Sequence, residues 1–261
     1  MHKICYPTVA GMFYPADSEE LFKVVTSYIG QVKKHYPVPK AIISPHAGYD
    51  YSGPIAASAF ACLKGSNINR VVVLGPSHRF SFHGVAVPDA DVFLTPLGEI
   101  SIDQDKIKDL IALPQVKVSE QAFSIQENSI ETQLPFLQVI LKNFKLIPIL
   151  IGNASDQQVE EVLETLWNGT NTLIVVSSDL SHYYDYDTAN RIDKKTAEYI
   201  LHLNANLIED DHVCGSIGVR ALLNVVIKKR LKAYLIDLRN SGDTAGLYEQ
   251  VVGYGAFHFR E

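Results

Sequence analysis

Three runs, Ala41-Ile42-Ile43-Ser44, Val71-Val72-Val73-Leu74 and Leu173-Ile174-Val175-Val176, are almost continuously apolar and rich in β-branched residues. A strand with one wet face alternates apolar and polar residues. An unbroken short run bounded by Gly, Pro or Ser fits a strand covered on both faces. The strand candidates are 40–44, 70–74, 85–88, 145–151, 172–177, 233–238 and 253–259. Helical patterns lie between them. One spans 18–35, opening on Ser18 with Glu19 and Glu20 at the positive end of the helix dipole. Another spans 53–63, with Pro54 near its first turn. Ser124-Ile125-Gln126-Glu127 has capping-box spacing and opens a helix over 124–142. Further patterns cover 155–167, 188–201 and 214–230. Strands alternating with helices predict an α/β fold, a mostly parallel central sheet flanked by helices. No repeat, low-complexity tract or Ser/Gly linker interrupts the 261 residues, so a single domain over 1–261 is expected. Residues 83–102, rich in Pro, Gly and Asp, are expected to form a local excursion or hairpin.

Composition removes several function classes. The net charge is -6, with no basic run, which argues against nucleic acid or an anionic membrane surface as partner. Three widely spaced cysteines, Cys5, Cys62 and Cys214, make no disulfide framework and suit a reducing compartment. The first residues carry no apolar signal region, and no apolar run reaches the roughly 18 residues of a membrane span. A cytoplasmic protein with no membrane partner is the expectation.

In open α/β sheets, ligands gather at the carboxyl ends of the strands. Each of the three opening runs delivers a histidine there: His46, His78 and His182. One histidine after a strand is usually an ordinary loop residue. Three of the chain's nine at equivalent strand ends point to a shared pocket. Two imidazoles and one anionic ligand frame an open mononuclear metal site. The residues leave the third ligand open among Asp179, Glu127, Glu131 and Cys214. Cys214 opens the last long helical pattern, where a helix N-terminus favours thiolate. The plain alternative, a small buried apolar side chain, suits Cys62 and Cys5. Glu127 doubles as the capping-box acid. Glu131, four residues on, shares its helix face, so both could line one side of a pocket, although solvent exposure is expected for at least one. His182, followed by Tyr183, Tyr184, Asp185, Tyr186 and Asp187, could be an acid–base group in an aromatic-walled cleft; the tyrosines equally suit packing at the core edge. His2, His35, His83, His202 and His258 read as ordinary, and His212 stays open.

Several motifs now stand in order: Ile43-Ser44-Pro45-His46-Ala47-Gly48-Tyr49 with Ser52-Gly53, Leu74-Gly75-Pro76-Ser77-His78, Glu127-Asn128-Ser129-Ile130-Glu131 with Leu134-Pro135-Phe136, Ser177-Ser178-Asp179, Cys214-Gly215, and Ser241-Gly242-Asp243 with Val252-Gly253-Tyr254. Together they resemble the Memo-like family, the AmmeMemoRadiSam system protein B group of prokaryotes and the mediator of cell motility of animals. That family is similar in fold to the class III extradiol dioxygenases (LigB-like). The resemblance implies His46 and His78 as metal ligands, with Cys214 where the dioxygenases place a carboxylate. It implies Asp179 and His182 beside the metal, His182 at the acid–base position. The implied cofactor is Fe(II), with Cu or Zn admitted by the softer thiolate. The implied partners are an unknown small molecule and proteins of the AMMECR and radical SAM types. Asn128 stands where many relatives have His, and no role is carried over to it. Three functions fit: a non-haem-iron, oxygenase-like redox protein; a zinc hydrolase using Asp179 or His182 as base; and an interaction scaffold that retains a dioxygenase-like fold.

Overall fold

The computed structural model describes residues 2–246 and 248–261. In chain order the strands are β1 (Ile4–Cys5), β2 (Ala41–Ser44), β3 (Arg70–Pro76), β4 (Val85–Val87), β5 (Val92–Thr95), β6 (Gly98–Ser101), β7 (Val116–Val118), β8 (Lys145–Ile151), β9 (Thr172–Ser177), β10 (His182–Tyr184), β11 (Lys232–Asn240) and β12 (Val251–Arg260). The helices are α1 (Ser18–Gln31), α2 (Tyr49–Phe60), α3 (Gln104–Ile111), α4 (Glu120–Ser124), α5 (Asn128–Glu131), α6 (Leu134–Ile140), α7 (Asp156–Leu166), α8 (Tyr186–Leu201), α9 (Ser216–Lys228) and α10 (Ser241–Thr244).

The large sheet runs β10-β12-β2-β9-β3-β8-β4-β7, with β11 along the other edge of β12. Its centre, β2-β9-β3-β8, is parallel. These are the runs whose unbroken apolar character demanded cover on both faces, and they are buried from Ala41 to Ser44, Val71 to Gly75, Leu146 to Ile151 and Thr172 to Ser177. Antiparallel pairings finish the two flanks: β4 on β8 on one side, and β12 on β2 with β10 and β11 on the other. Helices cover the sheet in groups. α1, α2 and α6 pack on one another, α9 lies against β3 and β9 with α7 beside it, and α8 packs on β11 and β12. Burying a Val, Leu or Ile side chain is worth about 1.5–3 kcal/mol over leaving it exposed. The contiguous apolar cluster from Cys5 to Phe259 is therefore the main stabilising mass.

The excursion at 83–102 resolves into β4, which stays in the large sheet, and the β5–β6 hairpin, which joins β1 in a separate three-stranded sheet. Five strands escaped the sequence pattern, β1, β5, β6, β7 and β10, all of two to four residues and too short to show a period.

The helix expected over 124–142 is two short helices, α5 and α6, preceded by α4, the first of three in a row, which ends at Ser124. Ser119, not Ser124, caps α4 by accepting the Ala122 N–H, and the chain is extended at Ile125 and Glu127. The Ser124 capping box does not form because Ser124 is the last residue of α4 and the chain after it is extended, so no helix starts there. α2 begins at Tyr49, four residues before Gly53, which puts Pro54 in its second turn. Among the described residues no helix is long and apolar enough to cross a membrane.

Candidate metal centre

β9 lies between β2 and β3, so the segments leaving the carboxyl ends of these three strands emerge side by side. They carry His46, His78 and His182.

His46 is 2% exposed. Its main-chain N–H donates to Asp179 Oδ1 at 2.7 Å, and its carbonyl accepts from Asn128 Nδ2 at 2.9 Å. Ring Nδ1 is 2.9 Å from Ser177 Oγ. Ser177 gives its single hydroxyl proton to the Ser129 carbonyl and accepts from Gln133 Nε2 at 3.0 Å. With that proton committed, Ser177 can only accept from the ring. His46 therefore carries its hydrogen on Nδ1 and presents a lone pair at Nε2. Burial lowers the imidazole's pKa, helped by nearby His78 and opposed by Asp179, so the ring stays in the neutral, ligating form.

His78 is held by a carboxylate. Glu127, 7% exposed, accepts the His78 main-chain N–H, ring Nδ1 at 2.9 Å and the Ser129 N–H at 3.0 Å. An ionised carboxylate only accepts, so Nδ1 donates and Nε2 is again the open nitrogen. Burial opposes the charge on Glu127. The hydrogen bond and charge of the His78 ring, with the Ser129 and His78 N–H donors, outweigh it and hold the carboxyl down at about 2. The two imidazoles meet edge to face, 5.1 Å between centroids.

Cys214 closes the set. Its Sγ lies 3.3 Å from His46 Nε2 and accepts the Asp179 N–H at 3.2 Å. A Cβ on the following Gly215 would sit 2.8 Å from the Ser177 carbonyl oxygen and 2.8 Å from Ser178 Cβ. Only glycine lets this turn press against the end of β9. The sequence placed Cys214 at a helix start that would favour thiolate, but α9 begins at Ser216 with Gly215 as its cap. Burial, then the charge of Asp179, push the thiol pKa up, and the Asp179 N–H and the Ser178 hydroxyl offset only part of this. The helix alone does not ionise this thiol; a coordinated cation would.

The ligand atoms of His46, His78 and Cys214 lie within 4.8 Å of one another. With bonds of about 2.0–2.3 Å, ligand atoms a tetrahedral angle apart are about 3.3–3.8 Å from each other. The Sγ–Nε2 separation already matches, and the nitrogen and sulfur donors suit a transition metal. A cavity of about 330 Å³ opens on His78 and Cys214, lined among others by Phe80, Asn153, Ile217 and Gly218; His46, Asp179 and His182 do not line it.

Asp179 and His182 also reach this end of the sheet. Asp179 Oδ2 is 3.9 Å from His46 Nε2. His182 Nδ1 donates to the Leu180 carbonyl at 2.8 Å, leaving the Nε2 lone pair open. No hydrogen bond joins Asp179 to His182 among the described residues; Asp179 supports His46 instead. Of the tyrosines after His182, Tyr183 stands 5.7 Å from the ring and is 71% exposed, whereas Tyr186 turns away to Tyr248 and Asp243. His212 pairs with Glu209 at 3.2 Å, and His258 is buried beside Cys62.

Glu127 and Glu131 do not line one pocket wall. Both are buried, contrary to the exposure expected of one, and they diverge because Glu127 caps the short α5 rather than riding its face. Glu131, 1% exposed, accepts Thr8 N–H at 2.7 Å, Thr8 Oγ1 at 3.0 Å, Val9 N–H at 3.0 Å and the Tyr14 hydroxyl. It ties the start of the chain to the site's supporting helix. Glu131→Gln, which turns an amide N–H donor toward groups that are themselves donors, should cost about 3 kcal/mol in urea unfolding with the metal group intact. Sequence reasoning gave no role to Ser177 and Asn128, though both stood in its motifs, and passed over Gln133; these are the neutral residues that fix His46.

A family model described as Memo-like protein matches residues 5–258. The chain is 34% identical to a MEMO1 family protein of Methanopyrus kandleri, over 97% of this chain and 98% of that one. It is 34% identical to a MEMO1 family protein of Aquifex aeolicus, over 95% and 96%. Among solved structures, an uncharacterized protein from Escherichia coli K12 superposes with a TM-score of 0.50 at 11% identity, covering 83% of this chain and 99% of that one, a likeness of fold.

Proposed function

The chain belongs to the Memo-like family, and from that premise we propose a metal-binding protein in which His46, His78 and Cys214 hold one Fe(II) for oxygenase-like redox chemistry on a small molecule. One observation carries this reading. Both imidazoles give up Nδ1–H to buried acceptors, so both Nε2 lone pairs are free to converge with the Cys214 sulfur. Two histidines and one anionic ligand leave coordination positions open for a substrate and O2. Bound there, the ion supplies electron transfer and Lewis acidity.

The chain's own residues do the rest. Ser177 and Glu127 hold the ligand rings in their tautomers, as outer partners of metal-bound histidines do. His182, with Nδ1–H fixed on the Leu180 carbonyl, accepts a substrate proton at Nε2 and returns it. Asp179 keeps His46 in place through its main-chain N–H and sets a negative charge at the edge of the site.

The test is elemental analysis of protein purified without air, beside His46→Ala, His78→Ala and His182→Ala. Near-stoichiometric iron should fall in the first two and persist in the third, because His182 is read as an acid–base group and not a ligand. Zinc in place of iron, with ester hydrolysis lost in His182→Ala, would transfer the reading to a hydrolase. Metal indifferent to His46 and His78 would end it.

A further inference from the structure

Asp193 is buried, charged and absent from the chemistry described so far, yet it grips the segment that carries His182. On one side of that segment is β12. Leu180 N–H donates to the Gly253 carbonyl at 2.8 Å, Gly253 N–H donates to the Ser181 carbonyl at 2.8 Å, and His182 pairs with Val252. On the other side is α8, from which Asp193 Oδ1 accepts the Ser181 N–H at 3.0 Å; Asp193 is 2% exposed. The His182 ring donates its Nδ1–H to the Leu180 carbonyl. The Leu180 carbonyl and the Ser181 N–H are the two ends of one peptide group. A carboxylate holds one end and the imidazole the other.

We propose that Asp193 is a positioning residue for His182, acting through the peptide between residues 180 and 181 to fix the ring's Nδ1–H tautomer and raise the basicity of Nε2.

The peptide is planar and stiff, so fixing its N–H fixes the direction of its C=O. A hydrogen bond to a charged acceptor is stronger than a neutral one, and hydrogen bonds in series polarise one another. An amide drawn toward a carboxylate carries more negative charge on its oxygen. That oxygen is a better acceptor for the imidazole N–H, most of all once the ring is protonated.

The segment needs such a grip. Tyr183, directly after His182, has a φ of 62°, a left-handed conformation that a bulky residue keeps only when its surroundings hold it. A neutral Asn would serve a purely structural bond to Ser181, yet the chain keeps a carboxylate there in poor surroundings. Its Oδ2, like Ser181 Oγ, is buried with no hydrogen-bond partner among the described residues. A Cβ on Gly253 would stand 1.9 Å from that oxygen, so β12 can run here only as glycine. Burial raises the Asp193 carboxyl to about 6, against the Ser181 N–H, the adjacent Ser181 hydroxyl, which lies near the carboxylate but outside hydrogen-bond geometry, and then His182 and His212, the latter paired with Glu209.

The purpose of this arrangement rests on the reading of His182 as the acid–base group, but the link is testable without turnover. Protein uniformly labelled with nitrogen-15 would be titrated by NMR, with Asp193→Asn and Asp193→Ala beside it. The wild-type His182 ring should be the Nδ1–H tautomer. Asp193→Asn, which keeps an acceptor and loses the charge, should lower the His182 pKa by about half a unit. Asp193→Ala should also lose the tautomer preference. An unchanged tautomer and titration in both folded variants overturns the proposal. Should both variants unfold, the wild type decides: the Ser181 amide must shift as the Asp193 carboxyl titrates near pH 6, and a static amide overturns the link. Metal analysis of the same samples keeps the two readings apart, since loss of metal assignment with the Asp193–His182 link intact fails only the former.

Discussion

A Cys214→Ala protein is expected to fold and to lose its metal. The fold should survive because Cys214 precedes the capped start of α9, and its removal deletes one small side chain. The metal should not, because the sulfur is the set's anionic donor, 3.3 Å from His46 Nε2, and two neutral imidazoles remain without it. Losing a partner outside the coordination sphere typically costs 10–100-fold in affinity, and losing a ligand should exceed that range. Dialysis against a weak chelator followed by elemental analysis reads this directly. Thermal unfolding gives a second reading: a ligand that binds only the folded state raises Tm, so chelation should lower Tm in the wild type and leave the variant unmoved. Retention of metal at wild-type affinity would remove Cys214 from the site.

Glu127→Gln should weaken metal binding by about 10–100-fold while leaving all three ligands in place. The amide cannot accept from both the His78 ring and the His78 and Ser129 N–H groups, so the ring loses its fixed tautomer. The same change should alter acid stability. The folded-state pKa of Glu127 is depressed, from an ordinary 4.5 to about 2. Its contribution is therefore fully present above about pH 4.5 and is lost as pH falls toward 2, on the order of 3 kcal/mol across that window. Urea unfolding at successive pH values should show this loss in the wild type and a flatter profile in Glu127→Gln. Parallel profiles would mean that the carboxylate is not what holds His78.

The central sheet was legible because β2, β3, β8 and β9 are buried on both faces, and burial of that kind leaves an unbroken apolar run. The three strand-end histidines were legible for a related reason: loops at the carboxyl ends of parallel strands share one side of the sheet. The supports of those histidines left no such trace. Ser177, Gln133 and Asn128 are neutral polar residues buried by tertiary contact, and nothing in their local spacing marks them. Glu127 left a misleading trace. Its distance from Ser124 satisfies a capping box, but the partner it meets is 49 positions away in the chain. Cys214 was singled out for a local reason that does not hold, since the helix it was to open starts two residues later; it is the fold that brings its sulfur to His46.

The insertion of β9 between β2 and β3 has a bearing on the order of events in folding. Parallel neighbours cannot pair through a tight turn and must wait for a crossover to close. His46 and His78 are supplied early in the chain, but the Ser177 that orients His46 arrives only with β9, and Cys214 only after α8. Contacts of such long sequence separation form late. An ion meeting the half-made chain finds two loose imidazoles and no sulfur. On the proposed reading metal capture would be an event of the completed sheet, and occupancy should report on finished molecules rather than guide unfinished ones.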